Sequence, residues 1–311
     1  MVGALVTTER DGDTEDVIAV RDTKAAPIGS AFKLYVLAAV ADEIEAGAIA
    51  WDDTLTLTAE TRSLPSGTLQ DQPDGTEVTV RQAAEQMIAI SDNTATDLLI
   101  GLVGRERVEQ AVVDLGHATP DRMRPLLTTR EMFQLSYGPS GTGSGAAELA
   151  TLSDAWADGS EAERRTVLDR VATIPLSLTI DELTGAMAKT TEPAWTRDLE
   201  WFASPADLAA AHRGLAERAE RLPELSEILG KNPGQGLAFD RKVWPDIAFK
   251  GGGNTGVTSL SWRAIRADGL VLTAVLTVAA ENADDLAAMN RAQRDVFSLA
   301  EDIFRLAGDT P

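Results

Sequence analysis

The stretch Gly29-Ser30-Ala31-Phe32-Lys33-Leu34-Tyr35-Val36-Leu37-Ala38-Ala39-Val40 sets a serine three residues before a lysine, just as a long apolar run begins. From Lys33 on, Leu37, Val40, Ala41 and Ile44 recur at i, i+3, i+4 and i+7, the spacing of one helix face, and Gly47 supplies a C-terminal stop. Ser30 and Lys33 then share a face of the first turn. They lie beside the free N–H groups and the positive dipole end of the helix. On the fragment alone, an N-cap serine followed by a solvated lysine accounts for the pattern as well as a nucleophile and its base do. The rest of the chain has to decide.

The 311 residues, 44% of them hydrophobic, suffice for a large core, and no apolar run approaches a membrane span. No signal peptide is visible at Met1, so the expectation is a cytoplasmic protein, with no membrane as partner. The formal charge of −21 argues against nucleic acid or an anionic lipid surface. Lysine occurs only at Lys24, Lys33, Lys189, Lys231, Lys242 and Lys250, so a lysine inside a motif carries weight. The absence of cysteine excludes thiol catalysis, disulfides and thiolate metal sites. With His117 and His212 the only histidines, a three-histidine metal site cannot be built, and both read as structural. No cofactor and no metal is expected.

Val2 to Thr8 and Asp16 to Arg21 read as a hairpin joined by an acidic D-G turn. From about Ala48 to Trp244 the pattern is mostly helical. Thr79 caps one helix; Thr94 to Val103 and Arg105 to Leu115 form two more, each ending before a glycine. Thr129 is expected to cap a helix to Tyr137, and Ser204-Pro205 to open another. The glycine-rich run Gly138 to Gly145 reads as a loop. Near the end the period changes: Ile247 to Phe249, Val257 to Arg266 and Leu270 to Ala279 alternate like strands, and a last helix runs from about Ala283 to Leu306. The fold class is therefore α+β: an antiparallel sheet formed by the N- and C-terminal segments and flanked by helices, with an inserted all-helical lobe. The division expected is one catalytic domain over 1–311, with a sheet lobe of 1–47 and 244–311 and a helical lobe of 48–243.

Two further motifs join the opening fragment. Ser91-Asp92-Asn93 follows the helix end Met87-Ile88-Ala89-Ile90, and Lys250-Gly251-Gly252-Gly253 follows the strand Ile247 to Phe249. Each alone has a plain structural explanation, a helix cap or a strand-ending turn. S-x-x-K, then S-D-N, then a strand with K-[TG]-G in this order resembles the signature set of the serine β-lactamase and penicillin-binding superfamily. Leu126 to Met132 is similar to the T-T-x-x-x-M helix start of class A enzymes. The resemblance implies Ser30 as acylated nucleophile, Lys33 as its proton partner and Ser91 as shuttle serine. It implies Asn93 on the substrate amide and Lys250 on the substrate carboxylate and on Ser91. The oxyanion would lie on the N–H groups of Ser30 and Gly253, and Gly251 and Gly252 would let substrate approach the strand.

The sequence departs from the class A pattern in two places. No E-x-x-L-N glutamate occurs between Gly116 and Pro125, where Asp121 is the only acid, and Glu131 falls inside the T-T helix. Gly251 replaces the usual Thr or Ser, which removes a hydroxyl for a carboxylate. The pattern is closest to the branch without the acidic loop, which includes a clavulanic-acid pathway protein. The helical material from Ala146 to about Arg221 matches no assigned element. The function implied is a serine hydrolase acting through an acyl-enzyme on Ser30, with an ester, amide or β-lactam as small-molecule substrate and slow β-lactam turnover. The alternatives are a D-alanyl-D-alanine peptidase and a noncatalytic ligand-binding protein.

Overall fold

Five antiparallel strands drawn from the two ends of the chain make the central sheet, as a computed structural model describing residues 1–176, 178–234 and 236–309 shows. Strands β1 (Val2–Arg10) and β2 (Asp13–Val20) form the expected hairpin, followed by the short β3 (Ala26–Pro27) and helix α1 (Lys33–Glu45). The ribbon β4 (Thr54–Thr56) and β5 (Glu77–Thr79) precedes α2 (Val80–Ala89), α3 (Asn93–Val103), α4 (Arg105–Asp114) and α5 (Thr129–Tyr137). Three helices follow: α6 (Ala146–Asp158), α7 (Glu161–Val171) and α8 (Ile180–Lys189). After β6 (Phe202–Ala203) come α9 (Pro205–Ala219) and α10 (Glu224–Leu229), then β7 (Asp246–Asn254), β8 (Val257–Ile265), β9 (Val271–Ala279) and α11 (Ala283–Asp309). The sheet order β2-β1-β9-β8-β7 sets the first strand beside the last, with Val6 opposite Ala274, and leaves β7 as an edge.

One core lies among the helices around α1, and a second lies under α11 on the sheet. Residues 31–41 are all buried, so α1 is enclosed on every side rather than on the one face its periodicity suggests. The second core stacks Trp244, Phe249, Trp262 and Phe304 between the sheet and α11.

Several local expectations shift, by one residue at a helix cap and by several at a strand end. Thr128, not Thr129, caps α5: its hydroxyl accepts from Glu131 N while the Glu131 carboxylate accepts from Thr128 N, a reciprocal capping box. The strand that opens at Asp246 does not stop at Phe249 but runs through the three glycines to Asn254, because β8 pairs with all of it. No helix among the described residues is long and apolar enough to cross a membrane.

Candidate active site

Ser30 sits in a short 3₁₀ turn, Gly29–Phe32, that leads straight into α1. The turn is laid against β7. A Cβ on Gly252 would stand 1.9 Å from the Ile28 carbonyl oxygen and 2.7 Å from Ser30 N. Gly29 has φ +51°, and a Cβ there would meet Gly253 N at 2.7 Å. Only glycines permit this contact, which lays the backbone of Gly29 and Ser30 against that of Gly252 and Gly253. Gly252 therefore faces the turn, and it is Gly253 that reaches the cleft. The Ser259 hydroxyl locks the contact by donating to Ile28 O at 2.5 Å.

Lys33, one helical turn on, is fully buried. Its Nζ lies 2.6 Å from Ser91 O, 2.6 Å from Asn93 Oδ1 and 3.1 Å from Ser91 Oγ. Lys250 Nζ approaches the same Ser91 Oγ at 3.1 Å and donates to Gly251 O at 2.6 Å. One serine hydroxyl is thus held between two buried amines. The loop carrying it is unusual: Ser91 has φ +58°, in the left-handed region that L side chains seldom enter. Two contacts keep it there. The Asp92 carboxylate caps α3 at Ala95 N, 2.9 Å, and accepts from Thr68 N and Leu69 N at 2.7 and 2.9 Å. The Ser66 hydroxyl donates to Ser91 O at 2.8 Å.

Burial pushes Lys33 well below the ordinary lysine value, and the Lys250 charge adds to the effect while Asp97 and Asp92 oppose it. Burial alone brings Lys250 down to about 7. A neutral Lys33 amine has two N–H groups for the carbonyl acceptors at 2.6 Å and a lone pair left for a hydroxyl proton. Asn93 has both ends engaged, since its amide nitrogen donates to Leu64 O at 3.0 Å. Neither histidine lines this cleft. His117 Nε2 donates to Phe202 O at 2.8 Å; its Nδ1 accepts from Thr119 N. His212 meets Ser261 Oγ at 3.0 Å and is held down to about 3 by burial, so it stays neutral.

A family model described as a β-lactamase enzyme family matches residues 3–219, which include Ser30, Lys33 and Ser91. The chain belongs to the β-lactamase enzyme family. No curated protein matches the sequence. Among solved structures, a β-lactamase from Sphaerobacter thermophilus is similar at 24% identity and TM-score 0.59, over 98% of this chain and 91% of that one. A class A β-lactamase from Mycobacterium abscessus follows at 18% identity and TM-score 0.54, over 96% and 94%. A PBP-A mutant, solved as an acyl-enzyme complex with penicillin G, matches at 17% identity and TM-score 0.56, over 97% and 90%. At these identities the likeness establishes the fold of the superfamily.

For a β-lactamase-family chain without an acidic loop, one feature of the cleft was not anticipated. Its cavity of about 220 Å³ is lined by Ser30, Asn93, Gly253 and Asn254, and also by Glu200. The antiparallel pairing of β3 with β6, Ala26 opposite Ala203 and Pro27 opposite Phe202, continues through Ile28 N donating to Trp201 O at 2.9 Å. The next step of that register puts Glu200 opposite Gly29, the residue before Ser30. Trp201 fixes the segment by stacking on Phe32 with ring centroids 3.9 Å apart and by donating Nε1 to Leu127 O at 3.0 Å. Glu200 is 4% exposed, and neither carboxyl oxygen has a hydrogen-bond partner among the described residues. The Asn254 side chain and the Gly29 N–H lie near enough to favour the carboxylate, but neither meets an oxygen in hydrogen-bonding geometry. Burial wins and raises the group to about 8. The sequence held one faint sign of it, an acid followed by aromatic Trp201-Phe202 just before the Ser204-Pro205 helix start.

Proposed function

We propose that the protein is a serine hydrolase that works through an acyl-enzyme on Ser30. The observation that carries the reading is Ser91 Oγ held 3.1 Å from both Lys33 Nζ and Lys250 Nζ, with Lys33 one helical turn beyond Ser30, which lines the cleft together with Asn93 and Gly253. Two buried lysines within reach of one hydroxyl cannot both stay charged without cost, so an unprotonated amine is present near neutral pH. Lys33 accepts the Ser30 proton as Oγ attacks the substrate carbonyl. The N–H groups of Ser30 and Gly253 stabilise the oxyanion. Ser91 delivers a proton to the leaving group and regains one from the lysine pair.

Glu200 supplies the step that the absent acidic loop leaves open. Its carboxylate accepts a proton from the water whose oxygen bonds to the acyl carbon. The bond from that carbon to Ser30 Oγ then breaks, and the proton taken from water passes on to Ser30 Oγ, so that the free serine is restored. Raised to about 8, the carboxyl is mostly protonated at neutral pH, which supports slow deacylation there. Intact-mass spectrometry after exposure to benzylpenicillin and to p-nitrophenyl acetate tests the reading. One acyl adduct per chain is expected, absent in Ser30→Ala. Undiminished labelling or ester hydrolysis in that variant assigns the chemistry elsewhere.

A further inference from the structure

A second cavity, of about 500 Å³, opens off the catalytic cleft, since Met187, Gly253 and Asn254 line both. Its walls are α8, the turn between β7 and β8, and the first half of α11, where Leu286, Met289 and Val296 face inward. Among the described residues no aspartate, glutamate, lysine or arginine lines it, although the chain carries a net charge of −21. Among the described residues, the smaller catalytic cavity is lined by a single ionisable side chain, that of Glu200, an acid. The one cation at its Gly251 flank, Lys250, is already engaged by Ser91 Oγ and Gly251 O.

The direction of the groove assigns it to one part of a substrate. Lys250 and Asn254 are four residues apart on β7, about 13 Å along an extended strand. Ser91, the proton donor for a leaving group, lies at the Lys250 end, and the groove opens at the Asn254 end. Resting on the acyl-enzyme reading above, we infer that the substrate is an ester or amide with an extended, uncharged acyl arm that lies between α8 and α11. A buried apolar arm gains with each methylene it removes from water, whereas an anionic arm meets no cation and faces a carboxyl.

The p-nitrophenyl esters of acetate, butyrate and octanoate, with an octanoate analogue ending in a carboxylate, test this on the full chain. The octanoyl ester is expected to exceed the acetyl ester in kcat/KM by about 30-fold, and the carboxylate-ended analogue by tenfold or more. Met289→Trp, which fills the groove, should lower the octanoyl-to-acetyl ratio about tenfold; a merely unstable variant would lower both rates alike. A ratio near one, or one untouched by Met289→Trp, overturns the acyl-arm inference alone. Hydrolysis that survives Ser30→Ala overturns the acyl-enzyme reading instead, and no hydrolysis of any ester overturns both.

Discussion

A buried carboxyl with no hydrogen-bond partner, as at Glu200, costs stability, and such groups persist where they serve a reaction. The sign of its pH effect follows from the raised value. Below about 8 the folded protein holds Glu200 neutral; above it the site must carry a charge away from water. Deacylation is therefore expected to accelerate as pH rises through about 8, read as acyl-adduct decay by mass spectrometry. Stability moves the other way. An unfolded glutamate ionises near its ordinary value of 4.5, so the contribution of the protonated group is full below that and fades as pH rises to about 8. Glu200→Gln should lengthen the adduct lifetime by about 10²–10⁴. It should also show a Tm advantage over the parent that widens between pH 4.5 and 8. Adduct decay that is independent of pH and unchanged in the variant would remove Glu200 from the reaction.

At the scale of elements, the proposed oxyanion site rests on a packing contact between the 3₁₀ turn of Ser30 and the edge strand β7. Gly252→Ala inserts a methyl 1.9 Å from Ile28 O, and neither backbone can yield without separating the N–H groups of Ser30 and Gly253. The expected cost is about 3 kcal/mol or more, seen in thermal or urea unfolding, together with loss of acylation. The next glycine is the control. A Cβ on Gly253 meets nothing closer than Val257 O at 3.7 Å, so Gly253→Ala should unfold close to the parent. Equal Tm values for the two variants would contradict the contact. The helices α6 to α8, unassigned from sequence, also gain a place at this scale. Gln134 of α5 donates to Ile174 O at 3.0 Å, joining that segment to the body, and Met187 of α8 reaches the cleft.

Over the whole molecule, 49 acidic residues face 28 basic ones. Even with every cation paired, many carboxylates repel one another across a compact surface, and the ion pairs seen are mostly exposed and weak. Self-repulsion thus outweighs pairing. Raising NaCl from about 10 mM to 500 mM shortens the Debye length from about 30 Å to under 5 Å. Tm should rise by several degrees over that range. A fall would mean that the ion pairs, which salt also screens, dominate.

The sequence by itself determined the sheet made from distant ends and the order of its motifs, because these follow from local periodicity and from rare residues at fixed spacings; the resemblance of those motifs to a known family pointed to Ser30, Lys33, Ser91 and Lys250. It also determined the starts of α2, α3, α4, α5 and α9 to within a residue, since capping boxes such as Thr79 with Gln82 are local. Asp121, the one acid in the expected loop, is 90% exposed in its side chain and stands against Arg124. What only the tertiary structure decided was which acid enters the cleft. Glu200 is 170 positions from Ser30 and shares no motif with it; a two-residue strand pair and one stacked tryptophan bring them together. The direction in which Gly252 faces, and the neutral groove under α8, were equally out of reach. Each depends on how two separately formed elements pack, and that is fixed by long-range burial, which no local spacing records.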